Sequence, residues 1–107
     1  MKIGPVVFAV CMTTFAFAQG YKPPEGYVPD SKTAVKIAEA VLKPVYGEKQ
    51  IESERPFNAI LKNDTWTVTG TLHCNGEGKA STGCDGGVAE VRISRSEARI
   101  LYLWHGK

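Results

Sequence analysis

The fold is decided by residues 30–47, which read DSKTAVKIAEAVLKPVYG. Apolar side chains recur there at the spacing of one face of an α-helix: Ala34, Ile37, Ala38, Val41 and Leu42. Asp30 or Ser31 can cap the first turn, because either side chain offers an oxygen to backbone amides that lack a helical partner. Pro44 has no amide hydrogen, so we expect it to end or kink the helix, with Gly47 as a stop.

The residues after this helix predict a sheet. Strands are expected at residues 57–61, 65–72, 88–93 and 98–104. Asn63 and Asp64 suit a hairpin turn between the first two, and Trp66 and Val68 alternate with threonines that should face water. One helix followed by an antiparallel, twisted sheet of about four strands is an α+β fold. We expect the helix to cover one face of the sheet. The other face, which is rich in threonine and charged residues, should be exposed to solvent.

The first eighteen residues have the pattern of a cleaved secretory signal peptide. Lys2 is followed by an uncharged apolar stretch, and Ala16-Phe17-Ala18 offers the small-x-small cleavage pattern. The stretch is shorter than the roughly 20 residues that span a bilayer, which argues against a retained anchor. The sequence therefore predicts a signal peptide at residues 1–18, an extended proline-rich segment at 19–29, and a single domain at 30–107.

The charge of the chain is nearly balanced. The formal net charge is +2, and cleavage after Ala18 would remove only Lys2. No basic block or stripe is present, so nucleic acid and anionic membranes are poor candidates as partners.

Cys74 and Cys84 would remain after cleavage, and two cysteines in a small exported domain most often form a disulfide. Such a bond would stabilise the domain by about 2.5–3 kcal/mol in the chain-entropy model. A metal site at His73, Cys74 and Cys84 is the alternative, but it lacks the paired short spacings of zinc sites. We therefore predict a disulfide and no metal.

The polar loop closed by these cysteines is the first candidate for binding a partner, because a closed loop loses less entropy on binding. Its candidate residues are Asn75, Glu77, Lys79, Ser81 and Thr82. Trp104 is a further candidate, since tryptophan is enriched at interfaces and the last strand should leave it poorly covered. The alternatives are a loop tip without function and a tryptophan packed on the sheet.

No pattern of catalytic residues emerges. The serines, threonines and histidines show no local arrangement of nucleophile and base, and His73 and His105 are expected to be surface or packing residues. Residues 52–55 have the composition of a solvated connector, and the glycines of the cysteine loop do not form a phosphate-binding loop. We predict no enzyme, no catalytic residue and no cofactor.

Several short motifs follow one another in a recognisable order. They are Asp30-Ser31-x-Thr33-Ala34, Pro44-x-Tyr46-Gly47, Arg55-Pro56-Phe57, Trp66-x-Val68-x-Gly70-Thr71-Leu72, Val91-x-Ile93 and Trp104-His105-Gly106-Lys107. Over about residues 28–107 this order resembles the small bacterial family of NTF2 fold immunity proteins (YbbC/YhhH-like). The resemblance implies a cone-like or cystatin-like α+β fold and an antitoxin that neutralises a toxin delivered between competing bacteria. Together with the signal peptide, it implies a periplasmic location and a cell-envelope effector, of type VI secretion.

Two other functions remain open at this point. The cystatin-like order of elements would also suit a periplasmic inhibitor of a host or self hydrolase, such as a protease or lysozyme. A small pocket enzyme would need a buried acid or histidine, whereas the predicted core positions are apolar. The last strand could also pair between two copies and form a homodimer.

Overall fold

A computed structural model describes residues 20–73 and 86–107. Its elements are helix α1 (Ser31–Tyr46), the short helix α2 (Glu48–Glu52), and strands β1 (Asn58–Lys62), β2 (Thr65–Thr69), β3 (Ala89–Ser94) and β4 (Ile100–His105). The strands form one antiparallel sheet in chain order, β1-β2-β3-β4. The predicted α+β fold of one main helix on a four-stranded antiparallel sheet is confirmed. Neither helix of the described ranges has the length and apolar character needed to cross a membrane.

Helix α1 packs on one face of the sheet through the predicted apolar stripe. Ala34, Ala38 and Leu42 are fully buried, and they meet Val68, Val91 and Ile93 from the strands. Asp30 is the N-cap, and its Oδ1 accepts a hydrogen bond from the Thr33 amide at 2.8 Å. Periodicity and capping therefore explain where this helix begins and which face it buries.

Of the two effects expected of Pro44, ending the helix is wrong, because α1 continues to Tyr46. A proline removes one amide donor, and here it lies in the last turn, where a single bond is lost while Leu42 keeps its burial. Gly47 ends the helix as expected, with a positive φ of 102° and its amide bonded to the Lys43 carbonyl. The five-residue α2 that follows was not predicted.

The N-terminal segment contains a turn in which the Gly26 amide bonds to the Pro23 carbonyl, and it docks on the domain around Val28. Val28 is fully buried, and its carbonyl accepts a hydrogen bond from the Trp66 indole at 2.8 Å. Tyr21 and Tyr27 remain exposed. Trp66 thus belongs to the core and ties the segment to the centre of the sheet.

The predicted hairpin turn is present, since Asn63 and Asp64 both have positive φ values, of 51° and 63°. The Asp64 carboxylate accepts bonds from Arg95 Nε at 3.0 Å and Ser96 Oγ at 2.7 Å, which links this turn to the β3–β4 turn. Strand β2 ends three residues earlier than expected, because the Thr71 amide turns to the Glu54 carbonyl.

Candidate functional site

The face of the sheet that points away from α1 carries apolar as well as polar side chains. Alternation along the strands places Ile60, Thr67, Arg92 and Tyr102 in one row across the sheet, and Trp104 beside them in the next row, opposite Glu90. Ile60 is 68% exposed, Trp104 45% and Tyr102 42%. We call Ile60, Arg92, Tyr102 and Trp104 the outer-face patch.

The side chains of the outer-face patch are held against one another. The Arg92 guanidinium lies over the Tyr102 ring, 4.8 Å from its centroid, and its Nε and Nη2 each lie 2.9 Å from Glu90 Oε2. The Tyr102 and Trp104 rings are tilted by 50°, with centroids 6.4 Å apart. The patch therefore contains a row of contacts from Arg92 through Tyr102 to Trp104.

A second cluster lies where α2, β3 and β4 meet, and its centre is Glu54. Glu54 is only 4% exposed. Its Oε1 accepts a bond from the Ala89 amide at 2.8 Å, and its Oε2 accepts bonds from Gln50 Nε2 at 2.8 Å and His105 Nε2 at 2.7 Å. The expectation that residues 52–55 form a solvated connector is wrong for Glu54, because three donors make its burial tolerable.

The geometry around His105 favours the doubly protonated ring. Nε2 faces the Glu54 carboxylate, and Nδ1 lies 2.7 Å from the Gly106 carbonyl oxygen. Both partners are acceptors, so both contacts become hydrogen bonds only when each ring nitrogen carries a proton. The Tyr46 ring packs against the imidazole, with centroids 5.1 Å apart.

The pKa values of this pair move in opposite directions. Burial alone would raise the pKa of Glu54, but the hydrogen bonds from Gln50, Ala89 and His105 outweigh it and the pKa is lowered. Burial alone would lower the pKa of His105, but the bond to Glu54 outweighs it and the pKa is raised. Both shifts favour an ion pair near neutral pH.

A cavity of about 270 Å³ opens beside Glu54 and is lined by Gln50, Ser53, Thr71 and His73 among others. The buried acid that a pocket enzyme would require is therefore present. However, both Glu54 oxygens already accept hydrogen bonds, and both His105 nitrogens face acceptors. These hydrogen bonds join α2, β3 and β4 through the Glu54 carboxylate.

The predicted cysteine loop lies outside the described residues. This applies to Cys74 and Cys84, and to the candidates Asn75, Glu77, Lys79, Ser81 and Thr82. Trp104 is placed on β4 with its side chain exposed. His73 is exposed, with Nε2 2.6 Å from the Arg55 carbonyl oxygen. Within residues 20–73 and 86–107, no group of three acidic, histidine or cysteine side chains could hold a metal ion.

Comparison with known proteins decides the family. A family model described as NTF2 fold immunity protein matches residues 33–107. The chain belongs to the NTF2 fold immunity protein family. The uncharacterized protein YhhH of Escherichia coli strain K12 is 32% identical over 80 residues, which cover 75% of this chain and 58% of YhhH. The chain thus spans less than two thirds of that relative's length. No solved structure matches it.

The match to the immunity family covers α1 except for its first two residues, the whole of α2 and the four strands, and both clusters. Sequence reasoning selected Trp104 from the outer-face patch but missed Ile60, Arg92 and Tyr102. The alternation of β4 contained the information, since Tyr102 and Trp104 are two residues apart and must share a face. The face of the sheet that points away from α1 is therefore less polar than expected.

Proposed function

We propose that this protein binds and neutralises one secreted antibacterial effector in the periplasm. Membership of the immunity family over residues 33–107 is the observation that carries the proposal. An inhibitor of this kind acts by occupying a surface of the toxin, so it needs an exposed binding surface and no catalytic group.

The cellular part of the proposal rests on the N-terminal pattern. Residues 1–18 would direct export and be cleaved, residues 19–29 would form the lead-in, and residues 30–107 would form the working domain. An immunity protein in the periplasm protects against an effector that acts on the cell envelope, and type VI secretion is the delivery route we propose. A disulfide between Cys74 and Cys84 fits that compartment.

The test is protection of cells. The effector candidate is the product of the neighbouring reading frame, directed to the periplasm of a sensitive strain. We expect the full chain to restore growth, and a chain without residues 1–18 to fail although it accumulates in the cytoplasm. The purified domain of residues 19–107, in its oxidised form, should capture the effector in a stoichiometric complex and abolish its activity.

Two outcomes would contradict the proposal. If neither the full chain nor the chain without residues 1–18 protects the cells, and the purified proteins form no complex, the candidate effector is not the partner of this protein. Stoichiometric capture of a resident periplasmic hydrolase instead would assign the protein to hydrolase inhibition. A homodimer formed through β4 is a separate expectation, and the mass of the purified domain in solution measures it directly.

A further inference from the structure

The outer-face patch has the composition of a binding hot spot. Tryptophan, tyrosine and arginine are the residues enriched at the energetic centres of protein interfaces. Trp104, Tyr102 and Arg92 lie side by side on the face to which β2 contributes three threonines, and Ile60 is the most exposed apolar side chain of the sheet. None of these four residues belongs to the hydrophobic core, which lies on the opposite face of the sheet.

The patch is also ordered before binding. Arg92 lies on β3, an interior strand paired with β2 and β4, and its guanidinium is fixed by Glu90 and Tyr102. Fixing a long side chain on binding costs conformational entropy, and this cost is reduced when the fold already holds the side chain in place. The outer-face patch is therefore better prepared for binding than exposed side chains on a mobile surface.

The charges of this face indicate the chemistry of the partner. The Arg92 side chain is 50% exposed, whereas that of its counter-charge Glu90 is only 19% exposed. Lys62 lies on the same face, two residues after Ile60 on β1. A partner thus meets an accessible positive centre flanked by apolar side chains, which an acidic residue next to apolar ones would complement.

A second copy of the chain does not match this face. In a two-fold symmetric dimer the same patch lies on both sides of the interface. Arg92 is near the middle of the patch, between Thr67 and Tyr102 in the row, so a two-fold axis through the centre of the patch would bring two guanidinium groups together. Glu90 is engaged with the Arg92 of its own chain, so it is not free to pair with the Arg92 of a second copy.

We infer that the outer-face patch is the surface that binds the effector, through an acidic side chain facing Arg92 and apolar side chains contacting Ile60 and Trp104. This inference rests on the proposed function and specifies its interface. The inferred binding surface is the outer face of the sheet, whereas the first candidate from the sequence was the cysteine loop.

The test compares exposed apolar side chains on the two sides of the molecule. Ile60→Lys and Trp104→Ala change the outer-face patch, and Val45→Lys changes an exposed apolar residue of α1, which is 57% exposed. Binding to the purified effector is measured by titration calorimetry, and folding by circular dichroism. We expect each patch variant to raise the Kd by at least about tenfold, as truncation of hot spots does, and Val45→Lys to leave it unchanged.

The charge prediction has its own measurement. We expect Arg92→Gln to weaken binding and to flatten the dependence of the association rate on salt, because exposed charge pairs are screened by ions. Folded Ile60→Lys and Trp104→Ala variants that bind like the original protein would overturn the inference while the proposed function stands. Failure of the original protein to bind would overturn both. A dimer that Ile60→Lys dissociates would assign the patch to self-association and also overturn it.

Discussion

At the scale of single residues, the least expected feature is a buried glutamate in a small domain. Glu54 is stable there because Gln50, the Ala89 amide and His105 all donate to its carboxylate. No buried side-chain nitrogen or oxygen in the described ranges lacks a hydrogen-bond partner. Because a buried charge without its partner is costly, each member of this cluster should matter more to stability than an exposed polar residue does.

The first prediction compares the two histidines. His105→Gln should lower the free energy of unfolding by about 1–3 kcal/mol, because it removes a charged donor from a buried carboxylate. His73→Gln is the control, since that side chain is exposed and should change stability by less than about 0.5 kcal/mol. Urea unfolding at slightly acidic pH measures both. Equal losses in the two variants would contradict the structural role of His105.

The second prediction concerns pH. The raised pKa of His105 means that its contribution is complete below the ordinary value of 6.5 and is lost as the pH rises through the raised value. The lowered pKa of Glu54 means that its contribution is present above the ordinary value of 4.5 and is lost as the pH falls through the lowered value. The pair should therefore stabilise the fold most between these two ordinary values.

Urea unfolding at a series of pH values would measure this dependence of the unfolding free energy. The loss of stability on the alkaline side is the more specific sign of the Glu54–His105 pair. Hydrogen bonds from Thr33 and Ser96 also lower the pKa values of Asp30 and Asp64, so these exposed groups add to the acid limb. His105→Gln should remove the alkaline loss of stability attributed to the pair. An unchanged alkaline limb in that variant would show that another group produces it.

At the scale of elements, helices and strands could be predicted from the sequence wherever the apolar residues keep a constant spacing over the whole element. Helix α1 and the four strands follow from apolar spacing, and the hairpin follows from Asn63-Asp64. The burial of Glu54 did not follow, because it depends on His105, 51 residues further along the chain. Helix α2 is too short to establish a period. The alternation of β4 was enough to place Tyr102 and Trp104 on one face. Their contact with Arg92 could not be predicted, because it depends on the register between β3 and β4.

The third prediction tests the proline inside α1. Pro44→Ala should raise the free energy of unfolding, by up to about 3 kcal/mol, because alanine restores an amide donor in the last turn and relieves the proline ring's contact with the preceding turn. Thermal unfolding measures the change. Val45→Ala, at the next exposed position, is the control and should show no comparable gain. A lower stability in Pro44→Ala would indicate that the proline's restriction of the unfolded chain dominates.

At the scale of the whole molecule, the N-terminal segment is part of the folded unit. Amides of Tyr27 and Val28 bond to the Ser96 and Arg95 carbonyls, and Arg95 Nη1 reaches the Glu25 carbonyl at 2.7 Å. The segment, the hairpin turn and the β3–β4 turn thus interlock at one end of the sheet. Residues 25–28 therefore take part in the packing of the domain.

The fourth prediction tests this docking. Gly26 has a φ of 89°, and a Cβ there would lie 2.5 Å from the Arg95 carbonyl oxygen. Gly26→Ala should therefore destabilise the molecule by about 1–3 kcal/mol and expose the segment to proteases. Gly20→Ala is the matched control, because a Cβ at Gly20 meets nothing within 4 Å. Unchanged unfolding and proteolysis in Gly26→Ala would show that the segment contributes little.

The distance along the chain between Glu54 and His105 also sets an order of events during synthesis. A polypeptide leaves the ribosome, or a translocation channel, with its N-terminal end first. Glu54 then emerges 51 residues ahead of the histidine that completes its hydrogen bonds. Until that histidine arrives, the carboxylate is better solvated by water than enclosed by protein. We therefore expect the two helices to close over the sheet as a late step of maturation, after the last strand has emerged.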